Sequence, residues 1–100
     1  MKMIIDQLKK ELKISIIIFI NKNKNDFTVI IRVTKNLINY ITALKIINIF
    51  IKKANGKGGG KKEIAEGGGM NIKKLPMILN YIKSWITIQL ENIKTKNFNN

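Results

Sequence analysis

All seven glycines of this 100-residue chain fall within fourteen positions, GKGGGKKEIAEGGG, from Gly56 to Gly69. The remaining 86 residues contain none. Glycine has no Cβ, so such a stretch is either a flexible tether or a backbone that must come very close to another group. The flanking segments argue for the second. Both carry helical periodicity with apolar faces too large to leave in water, and Ile64 and Ala65 sit between the glycine clusters. A tether joins separable units and is polar along its length. The stretch is therefore expected to be an ordered part of one domain.

The length is that of a single small core, and 45% apolar residues favour a folded chain over a disordered one. Cysteine and histidine are both absent. That excludes a disulfide scaffold, a zinc finger, a cysteine nucleophile and any triad that needs imidazole. The six acidic residues are scattered, so no metal or other cofactor is expected. The longest strictly apolar run, Ile16 to Ile20, is far too short to span a bilayer. The opening MKMIIDQLKKEL is interrupted by Asp6, Lys9, Lys10 and Glu11, unlike a secretory leader. The expectation is a cytoplasmic chain without a membrane partner.

A net charge of +13 points to a polyanion, because lysines placed near phosphates release counterions and drive binding. Composition offers a second source for that charge. Ile, Lys and Asn supply 53 of the 100 residues, and Arg32 is the only arginine. A- and T-rich codons encode all three, so an AT-rich genome raises lysine whatever the function. The charge supports a polyanionic partner without identifying one.

Along the chain, Ile4 or Ile5, Leu8 and Leu12 recur at helical spacing and predict a short lead-in helix over 1–12. The β-branched run Ile14–Ile20 predicts a strand buried on both faces and central in its sheet. A polar turn over 21–26 leads to a second strand, Phe27–Thr34, and hence a hairpin. From Asn36 to Lys53, polar residues at Asn39, Thr42, Lys45, Asn48 and Lys52 draw one wetted stripe on a largely enclosed helix. Asn55-Gly56 ends it, with glycine expected in the left-handed conformation. Lys62–Glu66 adds a weak strand signal. Leu75, Ile78 or Leu79, Ile82, Trp85 or Ile86 and Leu90 form the stripe of a last helix with Pro76 in its first turn. The tail 94–100 lacks periodicity and is expected to be disordered. The fold class is thus α+β, a small single domain with a hairpin-containing sheet and two or three helices packed on it. Ile16, Ile18, Ile30, Ile41, Leu44, Ile82 and Trp85 are its expected core.

Nucleotide-loop motifs do not fit the glycines. A Walker A loop ending at Lys61 would need glycine at Asn55 and a hydroxyl residue at Lys62, and one ending at Lys57 would need glycine at Ile51. The dinucleotide pattern fails at Lys61 and follows a helix rather than a strand. What remains is the physics those motifs share. Residues without Cβ let backbone N–H groups approach a phosphate, and Lys57, Lys61 and Lys62 bracket Gly58, Gly59 and Gly60 with charge.

The stretch, followed by KLPMILNYIKSWI, resembles the C-terminal domain of alanyl-tRNA synthetases, which also occurs as the DHH-associated module of certain phosphoesterases. Gly56 to Gly60, Glu63, Ile64, Ala65, Gly68 and Gly69 fit the family pattern. The resemblance continues upstream through VTKNL, Ala43, the ISIIIFI strand and LKKELK, covering roughly residues 3 to 92. Four departures stand out: Lys61-Lys62 for Arg-Pro, Glu66 for glutamine, Leu44 for a small residue, and Asn55 for glycine. Lysine keeps the charge but loses the guanidinium fork.

The chain thus divides into the lead-in helix over 1–12, a glycine-loop-containing domain over 13–93 of the kind the resemblance implies, and the tail over 94–100. The resemblance also implies a non-catalytic module that binds the tRNA elbow, as a fragment of an alanine–tRNA ligase without that enzyme's catalytic and editing domains. The implied contacts are Lys57, Gly58, Gly59, Gly60, Lys61, Lys62, Gly68 and Gly69, with no catalytic or metal residue. The implied partners are tRNA, in the first place alanine tRNA, and the remaining synthetase domains or a second copy of the chain. The alternatives are a dimerisation module and a non-functional remnant of a truncated synthetase gene.

Overall fold

The computed structural model describes residues 2–7, 14–69 and 71–98. Five strands form one antiparallel sheet: β1 (Lys2–Gln7), β2 (Ile14–Lys22), β3 (Phe27–Val33), β4 (Lys57–Gly60) and β5 (Ile64–Gly68), in the order β1-β2-β3-β5-β4. Helices α1 (Ala43–Ala54) and α2 (Leu75–Phe98) complete an α+β domain. A 3-10 turn precedes each, at Lys35–Leu37 and Ile72–Lys74.

The β2–β3 hairpin is closed by Asn23 and Asp26. The Asn23 N–H donates to the Asp26 carbonyl at 2.9 Å, and its side-chain amide donates to the Asp26 carboxylate at 2.8 Å. Along β3 the alternation is strict: Phe27, Val29, Ile31 and Val33 are buried while Thr28, Ile30 and Arg32 are exposed. Ile16, Ile18 and Ile20 of β2 are buried with them. They share one core with Ile46, Ile47 and Phe50 of α1 and Ile78, Ile82 and Ile86 of α2. Both helices therefore cover the same face of the sheet. This corrects the reading of β2 as buried on both sides, because Phe19 on its other face is 46% exposed. Ile30 fails as a core residue for the same reason, and Leu44 and Trp85 are only half-buried.

The N-terminus departs from the expected helix. Residues 2–7 form β1, paired with β2 in register from Lys2↔Phe19 to Gln7↔Ile14. A central β2 needs a neighbour on each side, and β3 supplies only one. Pairing with β2 satisfies a row of main-chain groups on both strands, whereas six residues of isolated helix satisfy few. Residues 8–12 of the expected helix lie outside the described residues.

α1 starts at Ala43 rather than near Asn36. Thr42, extended at φ −110° and ψ 152°, accepts the Lys45 N–H on its hydroxyl oxygen at 3.1 Å, and this cap sets the start. Upstream, the 3-10 turn buries Leu37, whose carbonyl accepts the N–H groups of Tyr40 and Ile41. Thr42→Ala is expected to cost about 1 kcal/mol, read as a lower urea midpoint with an unchanged slope. At the other end Asn55, not Gly56, takes the left-handed conformation at φ 56° and ψ 42°. Asn is the residue that tolerates this region best after Gly.

α2 buries Leu75, Ile78, Ile82, Ile86, Leu90 and Ile93, the stripe predicted from the sequence plus one turn. The helix runs on to Phe98, which corrects the expected disorder from residue 94. Ile93, buried at 6% exposure, anchors the last turns to the core, and hydrogen bonding continues the helix beyond it. Among the described residues, no helix is long and apolar enough to cross a membrane.

Candidate nucleic-acid interface

The glycine stretch is a β-hairpin, not a loop. β4 and β5 pair from Lys57↔Gly68 through Gly58↔Gly67 and Gly59↔Glu66 to Gly60↔Ala65. The Lys61 N–H donates to the Ile64 carbonyl at 2.7 Å and closes a two-residue connection, Lys62-Glu63. β5 then pairs with β3, from Thr28↔Gly68 to Arg32↔Ile64.

Distant elements hold the tip. The Lys62 carbonyl accepts the Ala43 N–H at 2.8 Å, satisfying the first amide of α1. The Glu63 carbonyl accepts the Val33 N–H at 2.8 Å, extending the ladder past the end of β3. Lys61 and Lys62 are thus exposed cations on a fixed main chain.

Most of the close approach for which glycine is needed is internal. A Cβ on Gly58 would lie 2.4 Å from the Glu66 carbonyl oxygen, and one on Gly60 would lie 2.4 Å from the Ala65 Cα. Gly67 faces α1, where a Cβ would stand 3.2 Å from the Ile47 side chain, and Gly68 faces Thr28. Gly69 is needed for its left-handed φ of 76°. Gly59 differs from all of these. A Cβ there meets nothing within 4 Å, and no positive φ requires glycine. The consecutive amides do not converge into a nest, because the backbone of β4 is extended and successive N–H groups alternate in direction.

Of the eight residues expected at the site, seven lie on this hairpin and Gly69 directly follows it. Lys57 and Gly68 are in register, and Lys61 and Lys62 lie at the far end. Lys57, Thr28, Ile30 and Glu66 surround an open hollow of about 500 Å³ floored by Gly58, Gly67 and Gly68. Thr28 and Ile30 are additions to the residues expected from the sequence. The signal for them is the alternation of β3, which places them on the uncovered face beside the glycines. Among the described residues, no group of three or more acidic, histidine or cysteine side chains could hold a metal ion.

Comparison with protein families matches residues 1–87 to the DHHA1 domain. The chain belongs to the DHHA1 family. Two curated relatives, both alanine–tRNA ligases, extend the match. The DHHA1 chain is 64% identical over 90 residues to the enzyme of Buchnera aphidicola subsp. Acyrthosiphon pisum (strain APS), covering 90% of this chain and 10% of that protein. It is 45% identical over 87 residues to that of Buchnera aphidicola subsp. Baizongia pistaciae (strain Bp), covering 87% of this chain and 10% of that protein. It therefore spans about a tenth of the length of these relatives. Among solved structures, the C-Ala domain of Aquifex aeolicus alanyl-tRNA synthetase superposes with a TM-score of 0.61 at 25% identity. That match covers 67% of this chain and 60% of the other. The resemblance read from the glycine stretch is thus correct, and the α+β fold of this DHHA1 domain is that of the C-Ala domain.

Proposed function

We propose that the chain is a non-catalytic tRNA-binding module, equivalent to the C-terminal part of an alanine–tRNA ligase, that holds the sugar–phosphate backbone against the β4–β5 hairpin. The observation that carries this reading is the placement of Lys57, Lys61 and Lys62, all exposed, on a hairpin whose main chain is tied to α1 and β3. Fixed cations beside a backbone with few side chains suit a contact with phosphates. The identity to alanine–tRNA ligases makes tRNA the natural polyanion. In this reading the module works in the cytoplasm, and the remaining synthetase domains choose the tRNA.

Replacing Lys61 and Lys62 together by alanine is the test. The bonds that hold the tip use main-chain carbonyls, so folding is expected to be unchanged. Binding of tRNA should weaken, and the salt dependence of log K should flatten by roughly 0.7–0.9 for each phosphate that is no longer neutralised. Lys9 and Lys10 provide the control. Equal weakening from that pair would mean that diffuse charge binds tRNA and that the hairpin is no dedicated site. Because main-chain and phosphate contacts carry no base information, alanine tRNA and another tRNA should bind with similar affinity.

A further inference from the structure

β4 is the last strand of the sheet, and one side of its backbone has no strand partner among the described residues. The bond from Lys61 to the Ile64 carbonyl sets the phase of the β4–β5 ladder. With Lys61↔Ile64 as a hydrogen-bonded pair, Gly59↔Glu66 is the next such pair along the hairpin. Gly60↔Ala65 and Gly58↔Gly67 are then the narrow pairs in between, whose main-chain groups point away from the neighbouring strand. The glycine geometry agrees. In a narrow pair the Cα–H groups of the two strands face each other; at Gly60, whose φ is 157°, and at Gly58 the Cβ position is turned toward that gap and would meet the Ala65 or Gly67 Cα. Gly58 and Gly60 are both exposed, and neither N–H enters a turn, cap or loop bond among the described residues.

We propose that this free edge of β4 is a reader of RNA backbone, with the Gly58 and Gly60 amides donating to phosphate oxygens and their carbonyls accepting ribose 2′-hydroxyls. The proposal rests on the tRNA-binding reading above and assigns the contact to main-chain atoms of one strand edge. Two residues of strand advance about 6.6–6.8 Å, close to one nucleotide step. No side chain from Gly58 to Gly60 holds a ligand off, and the fold itself does not demand glycine at Gly59. Lys57 and Lys61 stand at the two ends of the edge, where they attract a polyanion and discourage an added protein strand. Because each outward residue presents a donor and an acceptor together, the edge fits a chain that alternates phosphate and hydroxyl. DNA lacks the hydroxyl.

Glycine-selective ¹⁵N labelling of the full chain gives seven amide signals, all from this stretch. Titrated with a short RNA duplex at low salt, the Gly58 and Gly60 signals should move most, and RNA should bind about tenfold tighter than DNA of the same sequence. A synthetic chain with N-methylglycine at position 58 loses the outward N–H without touching the β4–β5 ladder. It should keep its urea midpoint and bind both duplexes more weakly. Binding with the largest movement at Gly59 and Gly68 would overturn the edge assignment while leaving the tRNA-binding reading intact, as would equal affinity for RNA and DNA. Failure of tRNA and both duplexes to bind would remove both readings. A doubling of mass with protein concentration, with the edge signals moving and RNA without effect, would assign the edge to a second copy of β4 instead.

Discussion

Phe50→Ala is expected to cost about 3–5 kcal/mol, a large part of the roughly 5–15 kcal/mol that holds a domain of this size together. Phe50 is completely buried near the middle of α1 and meets Phe27 of β3 edge-on, with ring centroids 6.3 Å apart and planes at 64°. Truncation removes both the apolar transfer term and the aromatic contact, and it leaves a cavity where helix and sheet meet. Urea unfolding followed by circular dichroism measures it. A loss below about 1 kcal/mol would mean that α1 does not seat Phe50 against β3. Trp85→Ala provides a graded comparison, because Trp85 is only half-buried and should cost less despite its larger side chain.

The second large effect is expected from a single methyl group. Gly58→Ala places a Cβ 2.4 Å from the Glu66 carbonyl oxygen and 2.5 Å from the Gly67 Cα. Both are main-chain atoms inside a ladder, so neither can give way as a side chain would. Relief requires β4 to move off β5, at a cost of about 1–3 kcal/mol or more. Gly59→Ala, one residue along, meets nothing within 4 Å and should change stability by no more than about 0.5 kcal/mol. Amide exchange in β4 and β5 distinguishes the two directly. Equal protection in both variants would mean that the strands are not as close as Gly58 and Gly67 place them.

Much of this architecture can be read from residue patterns. The alternation Phe27, Val29, Ile31, Val33 marks a strand with one buried face, and the stripe from Leu75 to Leu90 marks the buried side of α2. Ile30 escapes such a reading because whether a sheet is covered on one face or two depends on where distant helices land, which no local pattern records. The first residues mislead for a related reason. Ile4, Leu8 and Leu12 suit a helix, but the empty side of β2 decides the conformation of residues 2–7. At the site, the clustering of glycines correctly signals close approach and family membership. It does not say what approaches. Gly58, Gly60, Gly67 and Gly68 are crowded by the chain itself, whereas Gly59 has open space before it.

The position of β5 between β3 and β4 has a kinetic consequence. Each hairpin, β2–β3 and β4–β5, closes over a few residues and can form early. The seam that joins them pairs Arg32 with Ile64 and Thr28 with Gly68, residues 32 and 40 apart in the chain. Closing that span costs loop entropy before any contact across it is gained. α1 lies within the span; its first amide is bonded to the Lys62 carbonyl at the tip of the second hairpin, and the Val33 N–H bonded to the Glu63 carbonyl ties that tip to the first. Docking of one ribbon against the other, with α1 as the clamp, is therefore expected to be the slow step in folding, so substitutions along the β3–β5 seam should slow refolding more than substitutions within either hairpin.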